Sequence, residues 1–358
     1  MSDIDLEKIL SRFDYEFPEE LIAKSPASPR ESARLLSYSK KDDSVHLGTF
    51  ADLPDLLPKN SLIVLNETKV VPAKITLRKS TGGAFRVICI GVEGDLIKVM
   101  SDRKLNINSV VNSVSGVSFD VARQDGRYYF LRPLSYFAEG KNISLPELYG
   151  FLFDNGETPL PPYIKNSPLS EKDLREEYQS VFAMNEGSIA APTASLHFTD
   201  DLIARLKEKG HEVCFVTLHV GLGTFATLTE KNISENRLHE EQYDIPEKTI
   251  GMIIKAKMEG CPVIAVGTTA LRALESSADH EGNIVKPSGT TDLFITEGYR
   301  FRVVSGMITN FHVPRSSLLM LVSALIGRKK IMELYNMAIR EKMRLFSFGD
   351  GMLMKDLD

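Results

Sequence analysis

Apolar and polar positions alternate between two patterns from about residue 199 onward. Thr199, with two acidic residues after it, is typical of a helix start, and leucines at helical spacing continue to Gly210. The segment HEVCFVTLHV (211–220) is rich in β-branched residues and predicts a strand. The alternation continues with a helix over 247–259, the strand CPVIAVG, the helix TTALRALESSA and the strand GMITNFHV. This order predicts a layered α/β body around a largely parallel sheet.

The end of the chain predicts two closing helices, SSLLMLVSALIG and KKIMELYNMAIREKM. The first is apolar nearly all round, so we expect it to be buried. In sheets of this kind ligands bind near the carboxyl ends of the strands, which is where we expect the functional site.

Residues 75–150 follow a different pattern. Short alternating stretches are separated by turn signals at Gly82-Gly83, Gly94-Asp95 and Asp125-Gly126. The preceding segment SLIVLNETKV already predicts a buried strand of the α/β body, so the β unit is inserted into that body. We therefore predict a discontinuous α/β catalytic domain over 1–74 and 151–358, with an inserted, barrel-like all-β domain over 75–150.

Length and composition agree with two structural units. The chain has 358 residues, 43% hydrophobic and 25% charged, and no apolar run long enough to span a bilayer. Its first residues, MSDIDLEKILSRFDYEF, lack the pattern of a secretory signal, so we expect a cytoplasmic protein without a membrane partner. Cys89, Cys214 and Cys261 are widely separated, which favours buried free thiols.

The formal net charge of −5 does not favour binding to nucleic acid, so any RNA contact must come from a local basic patch. Candidate residues near the C-terminus are Lys329, Lys330, Arg340 and Arg344. Such a run is more often the solvated face of a helix.

Candidate chemistry lies at the ends of the predicted strands. VGTT followed by ALRALE ends a strand with glycine and opens a helix, which can expose backbone N–H groups to a carboxylate or a ribose hydroxyl. The same arrangement is also common where a strand ends and a helix begins without any functional role. GLG at 221–223 lacks the third glycine of the dinucleotide fingerprint, so a dehydrogenase is a poor interpretation.

His219 and His312 lie near the ends of predicted strands, and His197 precedes a predicted helix, so the three could converge at one sheet edge. Each taken alone is more often a hydrogen-bonded core histidine, and the spacing gives no metal site. The alternative is a neutral histidine that carries protons.

Eight segments in order closely resemble the S-adenosylmethionine:tRNA ribosyltransferase-isomerase family of queuosine biosynthesis. They are FDYEFPEELIA with Arg30 and Arg34, FADLPDLLPKNSLIVLNETKVVPAK, LPPYI with YQSVFA, GSIAAPTASLHFT, TLHVGLGTF, VGTTALRALES, ITNFHVPRSSLLMLVSA and LFSFGDGMLM. Glu67, Lys74 and Ser195 stand where the family usually has Asp, Arg and Gly, and region 84–130 matches only loosely.

The resemblance implies an α/β body with an inserted β-barrel. It also implies transfer and isomerisation of the ribosyl group of S-adenosylmethionine onto 7-aminomethyl-7-deazaguanine in tRNA, giving epoxyqueuosine-tRNA, adenine and methionine. S-adenosylmethionine is then a consumed co-substrate, and neither a cofactor nor a metal is required. We expect a monomer whose partners are S-adenosylmethionine and a tRNA that carries the deazaguanine base.

The reaction needs a base, an acid for the departing adenine and a clamp for the methionine part. We predict catalytic roles for His197, His219 and Asp350. We predict substrate binding by Asn66, Lys69, Thr193, Gly221, Gly223, Thr268, Thr269, Arg272, Asn310 and His312, and RNA binding by the four basic residues named above. Two other classes stay open: an S-adenosylmethionine methyltransferase and a non-catalytic RNA-binding protein.

Overall fold

The structure, a computed structural model, describes residues 5–138, 140–221 and 227–357. Its helices are α1 (Leu6–Ser11), α2 (Leu53–Leu56), α3 (Leu145–Asn155), α4 (Glu171–Glu177), α5 (Asp200–Glu208), α6 (Glu230–Glu235), α7 (Glu247–Met258), α8 (Gly267–Ser277), α9 (Ser317–Ile326) and α10 (Arg328–Arg340). A 3-10 turn covers Thr193–His197.

The strands of the first half are β1 (Arg34–Ser39), β2 (Ser44–Thr49), β3 (Leu62–Asn66), β4 (Thr68–Val70), β5 (Lys74–Lys79), β6 (Ala84–Glu93), β7 (Leu96–Ser101), β8 (Val110–Ser113), β9 (Ser118–Asp125) and β10 (Tyr128–Pro133). Those of the second half are β11 (Asn185–Ser188), β12 (Glu212–Leu218), β13 (Arg237–Asp244), β14 (Val263–Val266), β15 (Ser288–Leu293), β16 (Gly306–Asn310) and β17 (Gly351–Lys355).

A nine-stranded sheet in the order β15-β13-β12-β3-β14-β16-β17-β1-β2 forms the centre of the body. Its four middle strands, β12, β3, β14 and β16, are parallel to one another. Every residue of β3 and β14 is buried, because helices cover both faces of a parallel sheet. The carboxyl ends of these four strands therefore meet at one edge.

The predicted alternation of helix and strand is confirmed over this half. Thr199 caps α5 by accepting a hydrogen bond from the backbone N–H of Leu202. The apolar helix α9 is largely buried, as its all-round pattern predicts. The outer strands β13 and β15 are an addition to the prediction: they pair antiparallel with each other and extend the sheet beyond β12.

Strands β5 to β10 close into a barrel in the order β10-β7-β6-β5-β8-β9, and every neighbouring pair is antiparallel. The three predicted turns connect β5 to β6, β6 to β7 and β9 to β10. Helix α3 packs against the barrel through Leu148, Phe151 and Leu152. The fold class, an α/β body with a small all-β barrel, is confirmed, whereas the exact domain limits stay a prediction.

The barrel and the body touch beside β13. The guanidinium group of Arg127, at the β9–β10 turn, lies 3.1 Å from Nε2 of His239 on β13. Among the described residues there is no helix with the length and apolar character needed to cross a bilayer.

Candidate functional site

A cavity of about 410 Å³ opens at the carboxyl ends of the parallel strands. This volume lies within the roughly 300–1,000 Å³ typical of small-molecule sites. Its polar lining residues include Thr193, Thr268, Thr269, Thr309, Asn310, His312 and Ser347, and its apolar lining residues include Tyr163, Pro192, Phe311, Val313, Pro314, Leu318 and Phe346. The cavity can therefore hold a ligand with a large apolar surface and a few polar groups.

The N-terminus of α8 forms one wall of this cavity. The residue before the helix is Val266, which has no side chain able to accept a hydrogen bond from the first turn. Gly267 has φ +84°, a left-handed conformation that favours glycine, and it lines the cavity with Thr268 and Thr269. An uncapped helix N-terminus attracts anions, because its first N–H groups lack partners within the helix.

Asn66 is fully buried at the end of β3, and its side chain connects β3 to β12 and α8 by hydrogen bonds. Its Nδ2 donates to the backbone oxygen of Leu218 at 2.9 Å and to Oγ1 of Thr269 at 3.0 Å. Its Oδ1 accepts from the backbone N–H groups of Thr68 and Leu218. Because Thr269 Oγ1 accepts from Asn66, its own hydrogen is available to a ligand in the cavity.

His312, after β16, is the one of the three predicted histidines that lines this cavity. Its Nε2 is hydrogen-bonded to Oγ1 of Thr309 at 2.9 Å, and its backbone N–H donates to the hydroxyl of Tyr335 at 2.9 Å. Burial lowers the pKa of His312 to about 3, so the ring is neutral at pH 7. A neutral imidazole that faces a cavity can accept a proton.

His197 lies behind the cavity wall. Its ring stacks on Phe50 with 4.1 Å between ring centroids, and Nδ2 of Asn310 donates to its Nε2 at 3.2 Å. Oδ1 of Asn310 in turn accepts from Oγ1 of Thr193, which lines the cavity. Burial lowers the pKa of His197 to about 3, and the nearby charges of Arg344 and Arg30 act in the same direction. The ring therefore supports the cavity wall through Asn310.

His219 follows β12 and lies at a second cavity, of about 530 Å³. Two consecutive residues therefore line different cavities, because the next residue, Val220, lines the first. The structure thus brings His197 and His312 to the same wall and places His219 on the other side of the β12 end.

Arg272 and Asp350 are both engaged by protein groups. Arg272, on α8, forms a buried ion pair with Glu241 on β13, and its Nε donates to the backbone oxygen of Leu293. Glu241 also accepts from the backbone N–H of Gly221 at 3.0 Å. Asp350 accepts from the backbone N–H groups of Arg34 and Arg344, so it joins the start of β1 to the segment before β17.

The remaining predicted residues are spread over the surface. Lys69 pairs with Glu186 at 3.0 Å. Lys330 pairs with Asp43 and Glu333, Arg344 lies against Asp350, and Lys329 and Arg340 are exposed. Gly223 lies outside the described residues.

Some residues that line the cavity were not among the predicted site residues. Tyr163 and Ser347 share a hydrogen bond of 2.7 Å between their hydroxyl groups at the cavity, and burial raises the pKa of Tyr163 to about 12. Both occur in segments that carry the family resemblance, LPPYI and LFSFGD, so that resemblance is the signal that could have found them. Within the described residues, no group of three or more His, Cys, Asp or Glu side chains could hold a metal ion.

Comparison with known proteins identifies the family. The family model described as queuosine biosynthesis protein matches residues 10–354. The chain belongs to the queuosine biosynthesis protein family. The resemblance inferred from the eight segments is thereby confirmed.

Curated relatives in the queuosine biosynthesis protein family cover nearly the whole chain. Proteins named S-adenosylmethionine:tRNA ribosyltransferase-isomerase are 40% identical over 348 residues in Syntrophotalea carbinolica and 42% identical over 350 residues in Fusobacterium nucleatum. Each alignment covers 96% of this chain, and 99% and 96% of the respective relative. The relative of the same name in Aquifex aeolicus is 42% identical over 348 residues, with 96% of this chain and 99% of that protein covered.

A solved structure of similar fold is the crystal structure of S-adenosylmethionine tRNA ribosyltransferase from Thermotoga maritima. It has a TM-score of 0.54 and 30% sequence identity, with 96% of this chain and 99% of that chain covered. This chain is therefore similar in fold to that structure over nearly its whole length.

Proposed function

We propose that this protein transfers and isomerises the ribosyl group of S-adenosylmethionine onto 7-aminomethyl-7-deazaguanine in tRNA, releasing adenine and methionine. The names of its relatives support the reaction class. The observation that carries the proposal is the cavity at the sheet edge, where an uncapped helix N-terminus and a neutral histidine face one largely apolar space.

The chemistry of S-adenosylmethionine matches both the polar and the apolar residues that line the cavity. Its methionine carboxylate is an anion and suits the free N–H groups at the start of α8, next to Thr268 and the hydroxyl of Thr269. Its adenine is a flat aromatic ring and suits the side of the cavity that contains Tyr163, Phe311 and Phe346. Arg272 is paired with Glu241, so in this arrangement it holds α8 against β13 and acts on the ligand through the helix.

His312 is the residue that we assign to proton transfer. The positive sulfonium acidifies the adjacent C5′ hydrogens, so the neutral ring can take one of these protons and leave an ylide. The C5′ electron pair forms a C4′=C5′ double bond as the C4′–O4′ bond breaks, and the O4′ electrons form a C1′ carbonyl as the bond to adenine breaks. The imidazolium can return its proton to the departing base. Because burial disfavours the charged ring, the return of the proton is favourable.

The later steps need the tRNA. The aminomethyl nitrogen adds to C4′ of the unsaturated sugar and loses a proton, and the C5′ carbanion that results adds to the C1′ carbonyl to close a five-membered carbocycle. The C1′ alkoxide formed in this step then displaces methionine from C5′ to give the epoxide. Water must stay away from the intermediate, which agrees with the largely apolar lining of the cavity. We propose that no metal or redox cofactor takes part and that the protein acts as a monomer.

The test is product analysis. The protein is incubated with S-adenosylmethionine and tRNA that carries the aminomethyl base, and nucleobases and amino acids are separated by chromatography. We expect adenine and methionine in equal amounts, and neither without the modified tRNA. S-adenosylhomocysteine would instead indicate a methyltransferase, and unchanged S-adenosylmethionine a non-catalytic RNA-binding protein.

A further inference from the structure

The second cavity, here called the β12–β13 cleft, lies beside the first, and the described residues that line it do not line the first. They are Thr217, His219, Gln242, Tyr243, Asp244, Gly289 and Thr290. The barrel contacts the same strand through Arg127 and His239. The cleft is therefore an open space of about 530 Å³ near the barrel, and most of the residues that line it carry polar groups.

Strand pairing explains why several polar side chains lie together in the cleft. Thr217 on β12 is opposite Asp244 on β13, and Gln242 is opposite Thr290 on β15. Residues directly opposite each other in an antiparallel pair point to the same face, and so do residues two apart along a strand. One face of three strands therefore presents hydroxyl, amide and carboxylate groups together.

His219 is built into one side of the cleft. Its Nδ1 shares a hydrogen bond of 2.8 Å with Oγ1 of the fully buried Thr68. Gly187 has φ +142°, and a Cβ atom there would lie 3.0 Å from the His219 ring and 3.1 Å from the hydroxyl of Tyr149. The His219 ring therefore packs against the backbone of Gly187, which has no side chain. Its Nε2 is the ring nitrogen that remains for a ligand.

Two carboxylates give the cleft a negative charge. Asn185 donates to Oε1 of Glu67 at 3.3 Å and to Oγ1 of Thr217 at 2.8 Å, which places Glu67 beside the cleft. Burial raises the pKa of Glu67, and the negative charge of Asp244 adds to this effect. Across residues 5–138, 140–221 and 227–357, neither carboxylate belongs to an ion pair. A cationic ligand would remove this repulsion.

We propose that the β12–β13 cleft binds the modified base of the tRNA, with Asp244 and Glu67 facing its aminomethyl group and His219 hydrogen-bonded to the base. A primary alkylammonium has a pKa near that of lysine, about 10.4, so the group is charged at pH 7. His219 and Val220 are adjacent in the chain and line different cavities, so the cleft and the cavity assigned to the ribosyl donor are neighbours at the end of β12. This inference rests on the proposed function for the identity of the base.

Equilibrium binding to three tRNAs tests the inference. They differ in one base, which carries an aminomethyl group, a neutral nitrile in its place, or is unmodified guanine. We expect the protein to bind the aminomethyl tRNA roughly tenfold or more tightly than the other two, since hydrogen bonds between charged groups are the strong ones. Asp244→Asn and Glu67→Gln should each lose most of this preference while S-adenosylmethionine binding is unchanged.

Glu208→Gln is the matched control, because Glu208 is exposed at the end of α5, at the opposite edge of the sheet. It removes one negative charge and should keep the preference. If Asp244→Asn also keeps it, or the unaltered protein shows none, the cleft does not bind the base. Failure of the proposed function is a separate result, since the unaltered protein would then release no adenine.

Discussion

Among single residues, His312 decides whether the first cavity is catalytic. His312→Gln keeps a polar side chain but removes the group that accepts and returns a proton. We expect turnover to fall roughly a hundredfold or more, the usual scale of general acid-base catalysis. Adenine release under saturating substrates is the measurement, with circular dichroism to check that the fold is kept.

His197→Gln is the comparison within the same wall, because His197 stacks on Phe50 and accepts from Asn310 without lining the cavity. We expect its main effect to be a lower melting temperature, from a cost of about 1–3 kcal/mol for a misplaced buried polar group. If turnover per folded molecule falls as strongly as in His312→Gln, the proton carrier is His197, as the sequence first suggested.

The two buried histidines also predict how stability depends on pH. Their pKa values are about 3 in the folded protein and near 6.5 when unfolded, so the unfolded chain binds the extra protons between these values. Their contribution to stability is present above pH 6.5 and is lost as the pH falls toward 3. Each ring should contribute a slope of about 1.4 kcal/mol per pH unit below pH 6.

Urea unfolding of the unaltered protein and of His312→Gln at pH 7, 6 and 5 measures this slope. The carboxyl groups titrate in both proteins, so the difference between the two isolates the one ring. We expect the variant to lose less stability on acidification. Equal slopes would mean that the His312 ring is not buried in its neutral form.

At the scale of elements, the start of α8 gives the sharpest test of anion binding. Gly267→Ala places a Cβ on a residue with φ +84°, at a cost of roughly 1–2 kcal/mol, although its nearest neighbours are 3.7 Å away. The backbone must shift to relieve this strain, so the first N–H groups of α8 should turn and S-adenosylmethionine binding should weaken. Calorimetric titration and thermal unfolding measure the two effects.

The matched control is Gly251→Ala on α7, where the new Cβ meets nothing within 4 Å and φ is helical. Alanine there should raise stability by about 0.5–1 kcal/mol and leave ligand binding unchanged. If Gly267→Ala behaves like Gly251→Ala in both measurements, the start of α8 does not hold the carboxylate.

Helices, strands and turns could be predicted where the local sequence pattern determines them. The helix after Thr199, the strand CPVIAVG and the three hairpin turns of the barrel follow from caps, periodicity and turn residues that lie close together in the sequence. Strand β13, RLHEEQYD, is mostly polar, and its position depends on pairing with β12 and β15. Such pairing is set by tertiary contacts and cannot be read from the segment alone.

At the scale of the whole molecule, the partners of the site residues were the hardest to foresee. The sequence indicated that Arg272 faces a ligand, but the fold brings Glu241 to it from another strand, 31 residues away. His219 and His312 both follow strands of the same sheet, yet they line different cavities. The cavity that a residue at the end of a strand lines depends on which strands are its neighbours in the sheet. No local sequence pattern gives this strand order.

The surface that receives the tRNA body is also a property of the whole molecule. The chain has a net charge of −5, so steep salt dependence of binding must come from a local basic surface. Neutralising Lys329, Lys330 and Arg340 together should flatten the plot of log Kd against log salt, by roughly 0.7–0.9 for each phosphate that the variant no longer neutralises. Lys330 should contribute least, because its ammonium group already pairs with Asp43 and Glu333.

The control replaces three exposed lysines away from this helix and from the β12–β13 cleft, Lys59, Lys172 and Lys207, by Gln. Both triple variants change the net charge by the same amount, so a general electrostatic effect should alter their slopes equally. A flatter slope for the α10 variant alone places the tRNA backbone along α10. If both slopes match that of the unaltered protein, the phosphates lie elsewhere, and the basic residues of the barrel beside the β12–β13 cleft become the next surface to neutralise.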